Sequence, residues 1–257
     1  MSRPYPTRRK RSGPGVDRRL TALAGRRPVW LLDLDNTLHD TYTIMPRINR
    51  MMTEYVMRRL GIDEPAANEL RIHYWRRYGA TMIGMVRHHQ VDHRDFLRET
   101  HNFPDLHKLI RRDPRLAHFL RRLPGRKIVL TNSPHAYASR VLAALGVAPL
   151  VDGLIAVERM RAGGHIFPKP SRPMLKKILA RARLPAHRCV LVEDSIENLR
   201  SGRYCGLRTV LVSGITYKGS KPWGRPRRGQ GGIDRQVRSV VQLARTPLAC
   251  LHSAAVL

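Results

Sequence analysis

The sequence predicts an α/β fold in which a doubly wound parallel sheet is interrupted by an inserted block of helices. From residue 126 to residue 212, short apolar runs alternate with helical patterns, which is typical of a parallel sheet covered by helices on both faces. A similar apolar run at 28–34 is separated from the others by a long stretch with helical periodicity alone. We therefore assign the first run to the same sheet and interpret the helical stretch as an insertion.

The first strand is predicted at 28–34, because this run is short and apolar and is followed by the turn residues Asp35, Asn36 and Thr37. In the insertion, 44–112, apolar residues recur at helical spacing, and breakers such as Gly61 divide the pattern. This stretch predicts several consecutive helices and no strand.

The remaining elements follow in order: a helix after Pro114, a strand at 126–131, a helix at 136–145, a strand at 153–157, a helix at 173–182, a strand at 189–192, a helix at 196–205, a strand at 207–212, a loop at 218–232 and a final helix at 235–243. We divide the chain into a flexible basic N-terminal arm (1–27), an α/β core (28–43 and 113–257) and a helical insertion (44–112).

The chain is strongly basic: 48 Lys and Arg stand against 19 Asp and Glu, for a formal net charge of +29. Such a field attracts phosphate-bearing molecules, and a small anionic substrate suits it. The basic residues are spread along the chain, whereas a nucleic-acid site requires a clustered patch. We therefore favour solvated surface charge over nucleic-acid binding, although the arm could contact RNA.

Neither a membrane partner nor export is indicated. No apolar run approaches the length of a membrane span, and the start lacks the apolar segment of a secretory signal. The start is Arg-rich like a mitochondrial transit peptide, but its Pro and Gly content argues against one. Three cysteines without a CxxC pair favour reduced thiols over disulfides or zinc. We expect a cytoplasmic protein.

Polar side chains follow three of the predicted strands, and ligands of open parallel sheets bind beyond the carboxyl ends of their strands. A lysine lies between two of these groups along the chain. The candidate site residues are Asp33 and Asp35, Thr131 and Asn132, Lys169, and Glu193 and Asp194.

Their chemistry suits phosphoryl transfer. Asp33, Glu193 and Asp194 would repel one another without a cation, and an all-oxygen site suits Mg²⁺ or, with the same ligands, Mn²⁺. One carboxylate can attack phosphorus to give an acyl phosphate, and a second can exchange protons with the leaving group and water. A threonine hydroxyl and a lysine ammonium can hold the transferring phosphoryl oxygens.

The order of these motifs resembles the haloacid dehalogenase (HAD) superfamily. Its first motif, Asp-x-Asp-x-Thr/Val, matches 33–37, its second matches Thr131-Asn132, its third matches Lys169-Pro170, and its fourth, an acidic pair after an apolar strand, matches 190–195. The resemblance covers about 28–215. It implies a doubly wound parallel-sheet (Rossmann-like) HAD core with an inserted α-helical cap domain at 44–112, which closes over the site.

The resemblance also implies roles for the individual residues. Asp33 would be the nucleophile and Asp35 the general acid and base. The metal ligands would be Asp33, the backbone carbonyl of Asp35, Glu193 and Asp194. Thr131 and Lys169 would bind the phosphoryl group, with support from Asn132.

Within the superfamily, the segments 32–38, 74–81 and 192–199 look most like bacterial pyrimidine 5′-nucleotidases. This likeness implies nucleoside monophosphates such as UMP and CMP as substrates. Tyr74, Trp75 and Tyr78 could stack on a base, but aromatics at helical spacing more often form a core. We interpret the histidines nearby as surface or cap residues rather than metal ligands.

Three other functions remain open. The first is a 2-haloacid dehalogenase, which needs neither a metal nor a second aspartate in the Asp35 position, so the presence of Asp35 favours a phosphatase. The second is a phosphatase or mutase acting on a sugar phosphate. The third is a basic RNA-binding protein with a vestigial site, against which the intact set of catalytic residues argues.

Overall fold

The computed structural model describes residues 27–214 and 232–245. Its strands are β1 (Val29–Leu32), β2 (Arg126–Leu130), β3 (Gly153–Ile155), β4 (Arg161–Ala162), β5 (His165–Ile166), β6 (Cys189–Glu193), β7 (Arg208–Val212) and β8 (Arg235–Val237). Six of them form one sheet in the order β3-β2-β1-β6-β7-β8, and every neighbouring pair is parallel. The other two, β4 and β5, form a small antiparallel hairpin.

The helices are α1 (Met45–Leu60), α2 (Glu64–Tyr78), α3 (Thr81–His89), α4 (His93–Thr100), α5 (Leu106–Leu109), α6 (Pro114–Arg122), α7 (His135–Leu145), α8 (Arg172–Arg181) and α9 (Ile196–Tyr204), with a short 3₁₀ helix at Val240–Arg245. Helices α1 and α2 end at Gly61 and Gly79, which take the left-handed conformation that glycine adopts without strain. In the described ranges, no helix has the length and apolar content of a membrane span.

Alternate residues of β1 face opposite sides of the sheet, although the whole strand is buried. Trp30 and Leu32 pack with α6 and α7 on one face, whereas Val29 and Leu31 pack with α8 on the other. A strand with two covered faces has no polar side to show, which explains its continuous apolar run. The predicted doubly wound parallel sheet is therefore confirmed.

Helices α1–α4 share a hydrophobic cluster of their own, which includes Tyr55, Tyr74 and Phe96. Ile166 of the β4–β5 hairpin also packs into this cluster. At one end of the block, Ile48 of α1 packs into the main core instead. All of the regular elements between β1 and α6 are helices, and none is a strand, as predicted. The division into an arm, a core and a cap stays a prediction.

The prediction of a final helix near the C-terminus was wrong, because a strand begins there. Residues 235–243 were predicted to be helical, but β8 occupies Arg235–Val237 and pairs with β7, and only the following residues form a 3₁₀ helix. The apolar residues Val237, Val240 and Val241 imitate helical spacing, so periodicity alone could not exclude a helix. The hydrogen bonds to β7 stabilise these residues as a strand. The predicted arm, except Arg27, and the loop at 218–232, except Gly232, lie outside the described residues.

The packing of α2 on α3 leads to a stability prediction at Gly84. A Cβ atom built on Gly84 would lie 2.0 Å from Cγ of Tyr74, a buried ring. In a helix, Gly→Ala ordinarily stabilises by up to about 1 kcal/mol, but here the overlap decides the sign. We expect Gly84→Ala to lower the free energy of unfolding by about 1–3 kcal/mol in urea titrations.

Gly153→Ala is the matched control for that experiment, because its Cβ would lie 3.9 Å from the nearest atom of Ile128, an ordinary contact. A Gly84→Ala protein as stable as the wild type would show that Tyr74 does not pack against α3.

Candidate active site

The acidic candidates meet where the sheet changes direction. From β1 the chain passes to β2 and β3 on one side and later returns to β6 on the other, so the switch point lies between β1 and β6. Asp33 directly follows β1, and its backbone N–H donates to the carbonyl oxygen of Val192 in β6 at 2.9 Å. Glu193 and Asp194 stand at the end of β6. These carboxylates therefore occupy the crevice in which open α/β sheets bind ligands.

Lys169 joins the two acidic strand ends. Its Nζ donates to Oδ1 of Asp33 at 2.6 Å, to Oε2 of Glu193 at 2.7 Å and to the carbonyl oxygen of Leu130 at 2.9 Å. Burial opposes the charged lysine, but the two carboxylates outweigh it and raise the pKa of Lys169. All three of its protons are thus engaged, and its ammonium group is fixed beside Asp33.

Asn132 fixes the backbone of this lysine. Its Oδ1 accepts a hydrogen bond from the Lys169 N–H at 2.8 Å, and its Nδ2 donates to the Lys169 carbonyl oxygen at 3.0 Å. Thr131 is buried, and its Oγ1 accepts from the backbone N–H of Ser133 at 3.0 Å. The Thr131 hydroxyl hydrogen is therefore free to point toward a bound anion at the sheet edge.

The acidic cluster fits a divalent cation. One carboxylate oxygen from each of Asp33, Glu193 and Asp194 lies within 4.8 Å of the others. Burial raises the pKa of Asp33 and of Asp194, and repulsion from Glu193 adds to both shifts. Lys169 contacts two of the three carboxylates but not that of Asp194. The cluster is thus short of positive charge, and an all-oxygen donor set of this kind suits Mg²⁺ or Mn²⁺.

Asp35 is held in a different environment from Asp33, although only one residue separates them. Its Oδ2 accepts from Oγ of Ser133 at 2.6 Å, and its Oδ1 lies 3.1 Å from Tyr137 Oη and 3.0 Å from His39 Nε2. Burial alone would raise the pKa of Asp35, but His39, Ser133 and Tyr137 outweigh it and lower the pKa. The two carboxyl groups therefore lie in different environments, Asp33 beside Lys169 and Asp35 among three hydrogen-bond partners.

The turn after β1 explains this separation. The carbonyl oxygen of Leu34 accepts from the N–H of Leu38 at 2.9 Å, and Asn36 takes a left-handed conformation with φ of 57°. The Asn36 side chain then accepts from the Thr41 hydroxyl at 2.6 Å. Asparagine tolerates this conformation better than most residues. The coil carries the side chain of His39 back to Asp35.

The structure brings all of the predicted site residues to one edge of the sheet. It also adds three residues that the sequence analysis missed: His39, Ser133 and Tyr137. Ser133 and Tyr137 follow the second motif directly, and His39 comes four residues after Asp35. Their positions in sequence gave a weak signal, because nothing local shows that all three side chains converge on one carboxylate.

The aromatic residues of α2 divide between core and surface. Tyr74 is 6% exposed and belongs to the cluster of α1–α4, Trp75 is 59% exposed, and Tyr78 is half-buried. The neighbouring histidines bind tyrosines: His89 Nε2 lies 2.7 Å from Tyr74 Oη, and His88 Nε2 lies 2.7 Å from Tyr78 Oη. Tyr74 is therefore a packing residue and not a stacking platform.

The charge imbalance leads to a prediction for Asp194. The raised pKa of Asp194 means that its ionisation opposes folding of the metal-free protein, and this penalty grows as the pH rises from the unfolded-state pKa to the folded-state pKa. We expect Asp194→Asn to stabilise the metal-free protein near neutral pH by about 0.5–2 kcal/mol, and Mg²⁺ to raise its melting temperature less than that of the wild type. Thermal unfolding in EDTA and in Mg²⁺ measures both.

Glu69→Gln, at an exposed carboxylate of α2, controls for the loss of any acidic charge. An Asp194→Asn protein that gains no stability in EDTA and keeps the full Mg²⁺ effect would contradict a cation site at this cluster.

Comparison with solved structures identifies this arrangement as a known fold. An HAD phosphatase from Thermococcus onnurineus superposes with a TM-score of 0.53 and 17% identity, over 85% of this chain and 96% of that one. The L-2-haloacid dehalogenase from Xanthobacter autotrophicus, with chloropropionic acid covalently bound, gives a TM-score of 0.52 and 13% identity, over 86% and 98% of the two chains. At such identities the likeness shows the fold and leaves the reaction open.

Sequence comparison adds a curated relative and a family. The chain is 28% identical over 198 residues to phosphate metabolism protein 8 of Saccharomyces cerevisiae. The aligned region covers 72% of this chain and 61% of the relative. The chain thus spans less than two thirds of the length of that relative. The model of the haloacid dehalogenase-like hydrolases matches residues 29–206, from β1 through α9, which is more than half of the chain. The chain therefore belongs to the haloacid dehalogenase-like hydrolase family.

Proposed function

We propose that this hydrolase is a magnesium-dependent phosphatase that acts on phosphomonoesters through an aspartyl-phosphate on Asp33. The observation that carries the proposal is the separate hydrogen bonding of Asp35. A dehalogenase has no use for a second carboxyl group that exchanges protons with a leaving alcohol. Here that carboxyl group is held by Ser133, Tyr137 and His39, apart from the lysine that contacts Asp33.

In the first step, a carboxylate oxygen of Asp33 attacks the substrate phosphorus. The bond from phosphorus to the ester oxygen breaks, and its electron pair stays on that oxygen, which takes a proton from Asp35. Lys169 lies within 2.6 Å of the nucleophile and stabilises the negative charge on the phosphoryl oxygens. The products are a free alcohol and a phosphorylated Asp33.

In the second step, water attacks the phosphorus of the intermediate and gives a proton to the Asp35 carboxylate. The bond between phosphorus and the Asp33 oxygen breaks, and its electron pair returns to the Asp33 carboxylate. Inorganic phosphate leaves, and Asp35 again carries the proton that the next first step needs. The two half-reactions restore every group of the chain to its starting state.

Asp33, the backbone carbonyl of Asp35, Glu193 and Asp194 would hold the metal ion. When bound, Mg²⁺ compensates the carboxylates and withdraws charge from the phosphoryl oxygens. The clustered oxygens of Asp33, Glu193 and Asp194 and the raised pKa values of Asp33 and Asp194 support this part of the proposal.

We further propose a nucleoside monophosphate, such as UMP or CMP, as the substrate. The end of α2 lies against the site, since a Cβ on Gly79 would be 3.5 Å from the carbonyl oxygen of Lys169. Tyr78 precedes this glycine, and the guanidinium groups of Arg77 and Arg87 lie 5.7 and 5.0 Å from its ring centre. An aromatic ring beside cations offers a surface for a base and its phosphate. In this proposal α1–α4 act as the cap.

The test is phosphate release from a panel of nucleotides and sugar phosphates, in Mg²⁺ and in EDTA. We expect Mg²⁺-dependent release with a preference for UMP and CMP. A preference for sugar phosphates would overturn the nucleotide assignment and leave the phosphatase intact. If no phosphate is released from any ester and chloride is released from 2-chloropropionate, the enzyme is a dehalogenase and not a phosphatase.

A further inference from the structure

His39 is a buried polar residue whose two ring nitrogens are both engaged. It is 5% exposed, with Nε2 3.0 Å from Oδ1 of Asp35 and Nδ1 3.1 Å from the carbonyl oxygen of Asp40. A carbonyl oxygen and an ionised carboxylate can only accept, so Nδ1 donates to Asp40, Nε2 donates to Asp35, and the ring carries a proton on each nitrogen. The imidazole is therefore held at both ends, and its orientation relative to Asp35 is fixed.

The distribution of partners over the Asp35 carboxylate is unequal. Oδ1 contacts two side chains, His39 and Tyr137, whereas Oδ2 contacts only Ser133 among the described residues. A carboxylate oxygen has two lone-pair directions in the plane of the group. Both directions of Oδ1 are occupied, and one direction of Oδ2 remains.

We propose that His39 is a positioning residue that, together with Tyr137, occupies Oδ1 of Asp35 and thereby assigns Oδ2 as the oxygen that exchanges the proton with the leaving group and with water. This inference rests on the phosphatase function proposed above. His39 contacts neither the substrate nor the phosphorus; it acts through the orientation of Asp35.

A role in packing alone does not account for the imidazole. Without His39, each oxygen of Asp35 would still have a hydroxyl partner, Tyr137 for Oδ1 and Ser133 for Oδ2. The carboxylate is thus satisfied without the histidine. What the histidine adds is a second contact on the same oxygen, which stops the carboxyl group from rotating and exchanging its two oxygens.

The experiment compares two substrates that differ in their need for a proton. The leaving group of an alkyl phosphate is a strongly basic alkoxide that must be protonated as it departs. The 2,4-dinitrophenolate that leaves 2,4-dinitrophenyl phosphate is weakly basic and needs no proton. Rapid-quench measurements with excess enzyme give the rate of phosphorylation of Asp33 for each. We expect His39→Phe to slow the reaction of the alkyl phosphate about 10–100-fold, with KM unchanged, and to leave the dinitrophenyl ester almost unaffected.

Two further variants separate hydrogen bonding from folding. His39→Gln keeps a donor at a similar position and should recover most of the alkyl phosphate rate. Tyr137→Phe removes only the other contact of Oδ1, preserves the ring packing and should show the same substrate selectivity; it replaces His39→Phe as the test where that protein does not fold. His118→Phe, at an exposed histidine of α6, is the control for the substitution itself.

The outcomes separate this inference from the proposed function. Equal losses for both esters, no loss, or a Gln variant as slow as the Phe variant would overturn the role of His39 while the wild type remains a phosphatase. A wild type that releases phosphate from neither ester would overturn the proposed function and this role with it.

Discussion

Asp33→Asn should reduce phosphate release by at least about 10⁴-fold, because the amide cannot form the acyl phosphate through which both half-reactions pass. The variant should still fold, since its side-chain oxygen can accept from Lys169 as Asp33 does at 2.6 Å. Loss of the nucleophile would therefore appear as lost chemistry in a protein that still folds.

The covalent intermediate gives a second measurement of the same prediction. Wild-type enzyme quenched in acid during turnover should carry the mass of one phosphoryl group on the peptide that contains Asp33, and Asp33→Asn should carry none. Asp152→Asn is the matched control, because Asp152 is an exposed carboxylate just before β3, at the opposite edge of the sheet. An Asp33→Asn protein with ordinary turnover would show that another group attacks phosphorus.

The sheet could be predicted from sequence because its information is local. Each central strand is a short apolar run that ends in turn residues, and the run itself shows that both faces are covered. The edge elements lack this signal. β8 and the β4–β5 hairpin have only two or three residues in each strand, so no periodicity can develop, and neighbouring chain segments decide their structure.

The residues of the candidate site also fall into those that could be predicted from sequence and those that could not. Asp33 and Asp194 could be predicted because strand ends in a parallel sheet meet at one edge. Lys169 lies in the loop before α8 and could be predicted because Lys169-Pro170 resembles the third HAD motif. The partners of Asp35 could not, because they depend on the coil between Leu34 and His39 and on the rotation of α7 that directs Tyr137 inward. Motif spacing identifies the reacting groups, whereas the side chains that orient them require the folded structure.

Lys169→Met should be the most destabilising substitution at the site, apart from its effect on catalysis. The ammonium group is the contact that compensates Asp33 and Glu193, whose side chains are 8% and 2% exposed. Removing one partner of a buried ion pair leaves an uncompensated charge, which costs about 3–5 kcal/mol. We expect a loss of that size in urea titrations in EDTA, whereas Lys108→Met, at an exposed lysine, should change stability by about 0.5 kcal/mol or less.

The pH dependence of this loss distinguishes lost charge from lost packing. In the wild type, burial and Glu193 already raise the pKa of Asp33, and removing Lys169 takes away an opposing charge and raises that pKa further. A carboxyl group whose folded-state pKa exceeds its unfolded-state value makes the protein less stable as the pH rises from the unfolded-state pKa to the folded-state pKa. The deficit of Lys169→Met should therefore grow with pH, whereas a packing defect would be independent of pH.

A second substitution tests whether the uncompensated carboxylates cause the loss of stability in Lys169→Met. In Lys169→Met combined with Glu193→Gln, one of the two unpaired charges is gone, so the double variant should be more stable in EDTA than Lys169→Met alone. Saturating Mg²⁺ should reduce the deficit of the single variant, because a bound cation supplies the charge that the lysine supplied. If neither the second substitution nor Mg²⁺ restores stability, the lysine is not held by these carboxylates, and the charge argument for the metal site loses its main support.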